Sequence, residues 1–427
     1  MIQPIVRLWT RYSHVNWALA DQTMVSSVNF LTGILVARYL GLEEFGRFTL
    51  AWMAVLFVNS IQHAAINSPM MSIGPKQAEA EAPAYYGAVV VQQIVFSCAV
   101  FFLLFAGVRL SGTVFPEWRV EGLAFPLAAA ALAFQFQDFL RRYFFTRGRA
   151  AAAFANDAVR YLGQIAVLIW LFLSFRETMD SARVLWVIAI IAAAAAAYGA
   201  FTVGRIEVNA ASLRTIASRH WHFSKWLTPS ALMLWTTGNL FIIAAGALLG
   251  TTAVGAIRAA QNLMGITHIL FQGLENIVPT RAARHFHVGG KKALFDYLRR
   301  VTLLGSGAMA IVAVIAAIAP DYWLALVYGD DYVGYGYLLQ WWAAIYPLIF
   351  LTLPLRSGLQ AIERTQVVFA AYCWMTLFSI LAAYPLIQLM GPSGVVAGIF
   401  ITNVILIGKL LFGLTTASSL KSAPAKR

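Results

Sequence analysis

Eight ionisable side chains interrupt stretches of the chain that are otherwise apolar. At bilayer depth such a group costs about 2.5 to 3.5 kcal/mol, so it usually faces a cavity, a partner or a transport pathway. The eight are Asp21, Arg38, Asp138, Asp157, Arg160, Arg258, Glu275 and Lys409. Arg38 and Lys409 stand near the ends of their stretches, where long side chains reach the interface. Asp138 is spaced to pair with Arg141 or Arg142 along a helix. Binding of a substrate or a coupling ion is therefore expected at the other five, which are Asp21, Asp157, Arg160, Arg258 and Glu275.

Arg258 is the leading candidate for binding an anion. It stands beside Gln261 and Asn262, and no carboxylate lies three or four residues away from it in the sequence. The forked donors of a guanidinium match phosphate oxygens, which favours a phosphate-bearing or otherwise anionic ligand. The predicted substrate-binding residues of the cavity are Arg258, Gln261, Asn262, Arg160, Asn29 and Asn239.

The carboxylates of the apolar stretches suggest a different role, in coupling or gating. Asp21 and Glu275 stand near the predicted inner ends of their helices, and with Asp157 they are candidates for binding a proton or a sodium ion. Asp157 also stands one helical turn from Arg160, and an ion pair between the two would lower the cost of inserting them. Both interpretations of Asp157 are kept.

No motif for catalysis, metal binding or a cofactor is recognisable. His63 and His268 have no metal partner at a recognisable spacing, and the sequence contains no phosphate-cradling loop or nucleophile elbow. Cys98 and Cys373 both fall in apolar stretches and predict no disulfide framework. We therefore predict that the chain is not an enzyme, holds no metal and needs no cofactor.

The elements that must position these residues are membrane-spanning helices. Of the 427 residues, 60% are hydrophobic and 11% are charged, and the mean hydropathy is +0.72. Such a composition is typical of a chain in a bilayer, where a spanning helix needs about 20 apolar residues. We predict an all-α integral membrane protein with about twelve transmembrane helices, in two pseudo-symmetric six-helix bundles around a central cavity. The spans centre near residues 28, 58, 98, 131, 164, 193, 238, 267, 311, 345, 375 and 404.

The positive charges are concentrated on one set of loops. When the loops are assigned alternately, 22 Lys and Arg residues fall on the side of the N-terminus and five on the other side. Short basic loops are retained in the cytoplasm, which predicts a multi-pass protein of the bacterial cytoplasmic (inner) membrane with both termini cytoplasmic. The net charge of +13 is thus a topology signal, and it does not indicate a nucleic-acid partner.

Two sets of landmarks recur along the chain in the same order. The first, at an offset of 209 residues, pairs Leu40-Gly41, Gly46 and Asn67 with Leu249-Gly250, Gly255 and Asn276. The second, at an offset of 215 residues, pairs Leu140-Arg141, Arg149 and Phe154-Ala155 with Leu355-Arg356, Arg364 and Phe369-Ala370. Chance matches in a low-diversity apolar sequence are the alternative. A duplicated half is common in transporters, whose substrate path forms between similar bundles.

The longest polar stretch divides the twelve predicted spans into two equal halves. The predicted parts are an N-terminal six-helix lobe (1–203), a cytoplasmic amphipathic connector helix (204–225) and a C-terminal six-helix lobe with a short basic cytoplasmic tail (226–427). In the connector, Leu213 and Trp221 recur at helical spacing opposite basic residues. This pattern is typical of a helix that lies on a membrane surface rich in anionic lipids.

Several segments, in order, resemble one family. They are Ala37–Phe48 (ARYLGLEEFGRF), the Gly148-Arg149 exit of the fourth helix, Pro279, the loop Pro320–Tyr332 (PDYWLALVYGDDY) and Gly391–Gly398. Over nearly its whole length the chain resembles the bacterial polysaccharide and O-antigen flippases of the multidrug, oligosaccharidyl-lipid and polysaccharide exporter superfamily. The chain differs in two features from other branches of this superfamily. The two additional helices usual in lipid II flippases are not found, and Asp21 is a poor match by depth for the cation-binding acid of the drug-extruding branch.

The resemblance implies a function and a set of partners. It implies that a central, partly cationic cavity passes an undecaprenyl-diphosphate-linked oligosaccharide from the cytoplasmic to the periplasmic leaflet by alternating access. It also implies membrane lipids, a coupling proton or sodium ion, and polysaccharide polymerase and chain-length machinery as partners. Two alternatives stay open: a cation-coupled drug or metabolite exporter, and an integral-membrane enzyme that acts on lipid-linked sugars.

Overall fold

The described part of the chain is built from helices. The computed structural model describes residues 13–114 and 120–419, and each regular element within them is helical. The predicted basic tail lies largely in 420–427, outside the described residues. The α-helices are α1 (Ser13–Gln62), α2 (Ser68–Ile73), α3 (Ala82–Val114), α4 (Ala124–Thr146), α5 (Ala150–Ser174), α6 (Ser181–Thr202), α7 (Ala210–Ser224), α8 (Leu227–Leu249), α9 (Thr251–Met264), α10 (His268–Ile318), α11 (Pro320–Tyr328), α12 (Gly336–Ala361), α13 (Thr365–Met390) and α14 (Pro392–Ser419).

Ten helical segments among the described residues are long and apolar enough to cross a membrane. One of them, Trp17–Lys76, has 60 residues, or about 90 Å of helix, which is about three times the hydrocarbon thickness of a bilayer. Gly41, at φ 76° and ψ 177°, breaks it into two legs. The predicted span near residue 267 falls across α9, the 3₁₀ turn Gly265–Thr267 and the start of α10. All twelve predicted spans therefore lie in helices, and the prediction of an all-α, multi-pass membrane protein is confirmed.

The chain divides into two compact units, Met1–Trp235 and Thr236–Arg427. The first contains both legs of α1 with α3 to α6, and α7 follows them. The second contains most of α8 and the helices α9 to α14. Each unit thus carries six of the predicted spans. The boundaries predicted at residues 203 and 226, and a pseudo-symmetric arrangement of the lobes, stay predictions.

Turns at matched positions of the repeat have the same backbone conformation in both units. Gly250 has φ 83° and ψ 179°, close to the values of Gly41. In the second set, Gly148 and Glu363 both have positive φ, at 68° and 60°. Arg149 and Arg364 each donate a backbone hydrogen bond of 2.8 Å, to Phe144 O and Leu359 O, which also differ by 215 residues. The local conformation supports the duplication that the sequence indicates.

Helix α7 packs against the other helices of the first unit through one stripe of side chains. Leu213 and Ile216 are partly buried and His220 and Ser224 are buried, and His220 Nε2 is hydrogen bonded to the Tyr85 hydroxyl of α3 at 2.9 Å. Trp221, by contrast, is 66% exposed. The helix therefore has one face on the protein and another that carries Trp221. Its assignment to the cytoplasmic membrane surface stays a prediction.

Candidate functional site

A cavity of about 340 Å³ lies among the helices of the first unit. The kink at Gly41 brings both legs of α1 to its wall, and α4, α5 and α6 complete it. Its aromatic lining is Phe48, Trp52, Phe134 and Tyr161, and its polar lining is Asn29, Thr32, Gln164 and Arg160. Among the described residues that line this cavity, Arg160 is the one charged side chain. The wall thus combines aromatic rings, neutral donors and acceptors, and one cation.

Arg160 is held in place by two rings and one amide. Its guanidinium carbon lies 4.2 Å from the ring centroid of Phe134 and 4.4 Å from that of Tyr161. Nη1 donates to Gln137 Oε1 at 2.6 Å. A cation over an aromatic face is stabilised by about 0.5 to 2 kcal/mol, more when it is desolvated, and Arg160 is only 3% exposed. The guanidinium is therefore pre-positioned at the cavity wall.

Of the two interpretations of Asp157, the local ion pair with Arg160 is not the one that forms. Asp157 Oδ2 instead pairs with Arg141 Nε at 2.5 Å. Gln137 stands between the two predicted partners, because its Nε2 donates to Asp157 Oδ1 at 2.6 Å while its Oε1 accepts from Arg160. The spacing along α5 permits the local pair, but side chains of α4 reach Asp157 and compete for it.

Arg141 also binds the second predicted coupling residue. Its Nη2 donates to Asp21 Oδ2 at 2.5 Å, and the side chains of Asp21 and Asp157 are both fully buried. Two carboxylates from α1 and α5 therefore share one guanidinium from α4. Together with Arg160, joined through Gln137, the group carries two formal charges of each sign. The sequence does not reveal this role of Arg141, because its position at a basic helix end indicates membrane topology.

Asp138 pairs with Arg142 and not with Arg141. The Arg142 Nε to Asp138 Oδ1 distance is 3.5 Å, and Asn67 Nδ2 donates to Asp138 Oδ2 at 3.1 Å. The i to i+4 alternative of the sequence analysis is thus the one that forms. Arg141 is therefore available to pair with Asp21 and Asp157.

In the second unit, Arg258 is brought together with two of its predicted companions. Its Nη1 donates to Gln261 Oε1 at 2.7 Å and its Nη2 to Asn239 Oδ1 at 3.0 Å. Both acceptors are amide oxygens, and these two bonds orient the guanidinium. Asn262 is directed elsewhere, with Nδ2 3.4 Å from the hydroxyl of Tyr328.

Glu275 is not part of either group. It is exposed, and its Oε1 lies 3.5 Å from Arg356 Nη2. Apart from Asn262, the predicted site residues therefore fall into three sets. Asn29 and Arg160, with Asp21 and Asp157 behind them, are in the first unit; Arg258, Gln261 and Asn239 form one group in the second; Glu275 stands apart. Within residues 13–114 and 120–419, no three His, Cys, Asp or Glu side chains are grouped as metal ligands would be.

Comparison with known proteins gives the fold a context. The MatE family model matches residues 229–387, and a sequence search of curated proteins finds no match. A multidrug resistance MATE family transporter of the MOP superfamily, in an inward-facing conformation, has a TM-score of 0.72 at 15% identity, covering 93% of this chain and 96% of that one.

Two further solved structures are similar over most of their length. The lipid II flippase MurJ, in an inward closed conformation, has a TM-score of 0.69 at 12% identity, with 94% of this chain and 87% of that one covered. A MOP superfamily transporter from Pyrococcus furiosus, described by the reverse polarity of its binding pocket, has a TM-score of 0.61 at 13% identity, with 95% and 94% covered. The chain thus has the fold that multidrug transporters of the MOP superfamily share with the lipid II flippase MurJ.

Proposed function

We propose that this chain is an alternating-access transporter of the bacterial inner membrane, and that its substrate is an anionic amphiphile, an oligosaccharide linked to undecaprenyl diphosphate. The observation that carries the proposal is the cavity of the first unit, where Arg160 is the one charged side chain among the described lining residues. A carboxylate at the wall would favour an organic cation electrostatically, and none is among the described lining residues. Here the acids Asp21 and Asp157 lie behind the wall and are bound to Arg141.

The lining of this cavity suits a sugar phosphate. A guanidinium supplies forked donors to phosphate oxygens, the side chains of Asn29, Thr32 and Gln164 offer donors and acceptors to hydroxyl groups, and Trp52 offers an aromatic face. The volume of about 340 Å³ is near the lower end of the range for small-ligand pockets. It therefore accommodates part of such a headgroup at one time.

Arg258 supplies a second cation of the same kind. Asn239 and Gln261 accept hydrogen bonds from its guanidinium and orient it. Two pre-positioned arginines, one in each unit, suit a diphosphate-bearing headgroup, because each can bind it in a different stage of the cycle. The lipid chain needs no polar path, since it can stay in the bilayer while the headgroup crosses.

The shared guanidinium of Arg141 supports coupling to a cation. If Asp21 or Asp157 binds a proton, its ion pair with Arg141 is lost, and the contacts between α1, α4 and α5 weaken. A proton or sodium ion that binds these acids would therefore favour a different arrangement of the three helices. Glu275, exposed and paired with Arg356, is the weaker candidate for this role.

A cation-coupled drug or metabolite exporter is the second candidate. It is favoured by the MatE match over residues 229–387 and by the similarity to a multidrug resistance transporter. The two candidates differ in the charge of the substrate. An enzyme acting on lipid-linked sugars is the third, and it predicts a chemically altered product.

A reconstituted transport assay separates these candidates. Proteoliposomes containing the chain and an undecaprenyl-diphosphate-linked oligosaccharide are expected to expose the sugar on the opposite leaflet. Arg160→Gln should slow this transfer by about tenfold or more, since a charge-assisted bond is lost. Arg109→Gln removes the same charge at an exposed position of α3 and should change the rate less than about twofold.

Other results would contradict the proposal. Transport of a cationic dye but not of the lipid-linked oligosaccharide would establish the drug exporter. Equal rates for Arg160→Gln and the native chain would remove the first-unit cavity from the mechanism. Mass spectrometry of the recovered lipid would detect a new product if the chain were an enzyme.

A further inference from the structure

A further cavity lies in the second unit, along the part of α10 that precedes its break at Gly290. It has a volume of about 450 Å³ and is lined by Arg281, Arg284, His285 and Val288. These positions follow the i, i+3, i+4, i+7 spacing of a single helix face. One wall of the cavity is therefore a stripe with two guanidinium groups and an imidazole.

The stripe is carried by a helical hairpin that is packed on its other side. Gly290 has φ 62° and ψ −156° and breaks α10. Past this break, Leu294 and Leu298 pack in one buried cluster with Ala282, which lies beside Arg281. The ring of His285 stacks on that of Tyr297, with centroids 4.7 Å apart and planes 17° apart. The hairpin thus holds the stripe in place.

The cations of the stripe are accessible and are not neutralised by acids. Arg281 and Arg284 are exposed, and in the part of the chain that the structure describes neither forms an ion pair with a carboxylate. Arg356, elsewhere in the same unit, is paired with Glu275. Val288 completes the stripe and is 79% exposed. An apolar side chain therefore borders two accessible guanidinium groups.

We propose that this stripe is a binding site for the phosphate headgroup of a phosphorylated lipid. Arg281 and Arg284, one helical turn apart, can donate to different oxygens of one phosphate or diphosphate, and His285 adds a third donor when its ring is turned to the ligand. Val288 contacts the first carbons of the lipid chain. The hairpin belongs to the loops predicted to be cytoplasmic, where the lipid-linked substrate would be loaded.

Two lipids share this chemistry, an anionic phospholipid of the membrane and a polyprenyl diphosphate. Capture of the transported lipid at this site rests on the proposed function, whereas headgroup binding does not. The basic stretch from Arg281 to Arg300 continues past the cavity to the end of the hairpin. Within this stretch the cavity is lined by Arg281, Arg284, His285 and Val288, so Arg299 and Arg300 of the same hairpin serve as a control.

Binding of farnesyl diphosphate to the full chain in neutral detergent tests the proposal. The double variant Arg281→Gln/Arg284→Gln is expected to bind it at least about tenfold more weakly than the native chain. Arg299→Gln/Arg300→Gln removes the same charge at exposed positions and should bind within about twofold of the native chain. Thermal unfolding checks that each variant is folded, and Arg284→Gln alone replaces the double variant if that one is not.

The controls identify the ligand and can overturn the site. Inorganic pyrophosphate should bind more weakly than farnesyl diphosphate, and equal binding would refute a lipid site. Competition by phosphatidylglycerol nanodiscs, but not by phosphatidylcholine nanodiscs, would support the membrane lipid as occupant, and no competition would support the polyprenyl diphosphate. Equal losses in both double variants would mean nonspecific charge attraction and refute the site. If the transport assay fails while the Arg281/Arg284 effect holds, only the proposed function is lost.

Discussion

Arg141 balances two buried carboxylates at once, and this makes it the residue on which the first unit depends electrostatically. Asp21 and Asp157 come from different helices, and each lies 2.5 Å from a nitrogen of the same guanidinium. Away from water an uncompensated charge is far more costly than an exposed one. The three side chains therefore act as a unit, and removal of the shared cation affects both acids.

Replacing Arg141 by Gln is expected to destabilise the protein by about 3 to 5 kcal/mol, because two buried carboxylates lose their counterion. Arg142→Gln is the matched control: its side chain is 30% exposed and lies 3.5 Å from Asp138, so its effect should stay within about 1 kcal/mol. Thermal unfolding in detergent measures both. Adding Asp157→Asn to Arg141→Gln should recover part of the loss, and no recovery would contradict the assigned contacts.

His220 is a second residue whose charge is controlled by burial. It lies in α7, outside the membrane spans, and burial, with a smaller contribution from Arg219, lowers its pKa from 6.5 to about 4. Its nearest polar partner is the Tyr85 hydroxyl. Since the folded state favours the neutral ring, protonation favours unfolding. The stabilisation is complete above about pH 6.5 and is lost as the pH falls towards 4.

The free energy of unfolding of the native chain should therefore fall by up to about 3 kcal/mol between pH 7 and pH 4 through this group alone. His220→Gln should reduce the pH dependence in this window. His222→Gln should retain it, because His222 is exposed and bonds only locally, to Ser218 O. Unfolding temperatures at several pH values test this, and parallel profiles for the native chain and His220→Gln would show that another group is responsible.

At the scale of elements, the paired turns between helices show that a positive φ is adopted whether or not the residue is a glycine. The turns at Gly148 and Glu363 have the same positive φ and equivalent hydrogen bonds, yet one is a glycine and the other is not. A side chain in the left-handed region costs about 1 kcal/mol or more. Nothing lies within 4 Å of a Cβ added at Gly148, so this strain is separable from packing.

Exchanging the two residue types should move stability in opposite directions. Glu363→Gly is expected to raise the free energy of unfolding by about 0.5 to 1 kcal/mol, and Gly148→Glu to lower it by about 1 kcal/mol. Gly107→Ala provides a reference, since it lies inside α3 with no atom near the added Cβ, and it should be mildly stabilising. If both exchanges lower stability, side-chain contacts of Glu363 outweigh the backbone strain.

At the scale of the molecule, the distribution of charge predicts how the chain sits in the membrane. The side with 22 Lys and Arg residues should face the cytoplasm and the side with five should face the periplasm. Cys98 and Cys373 are both free and can be replaced by Ala to give a background without thiols. Cysteines introduced at Thr178 and Ser218, both exposed, report on the two sides.

A membrane-impermeant maleimide should label Thr178→Cys in intact cells and Ser218→Cys only after the inner membrane is opened. This follows because Thr178 lies in a loop of the sparsely charged side and Ser218 in the basic connector helix. The reverse pattern would invert the predicted orientation. Labelling of both positions in intact cells would place α7 outside the cytoplasm and contradict its assignment.

The sequence by itself determined the features of this protein that depend on residues close together in the chain. Each of the twelve stretches that hydropathy picked out falls on helical residues, because a bilayer demands about 20 apolar residues for each helix. The repeat indicated equivalent turns at Gly41 and Gly250, because a break in a helix depends on the residue at that position. The contact between Arg258 and Gln261 was also predictable from the sequence, because the two residues are one helical turn apart.

Only the tertiary structure decided which buried charges meet. Sequence spacing allowed Asp157 to pair with Arg160 and Arg141 with Asp138, yet Arg141 binds Asp21 and Asp157 and leaves Arg160 at the cavity wall. The reason is that a buried charge is stabilised by whatever opposite charge lies nearest in space, and packing of α1, α4 and α5 sets those distances. Gln137, an ordinary helix residue in the sequence, links the acids to the cavity for the same reason.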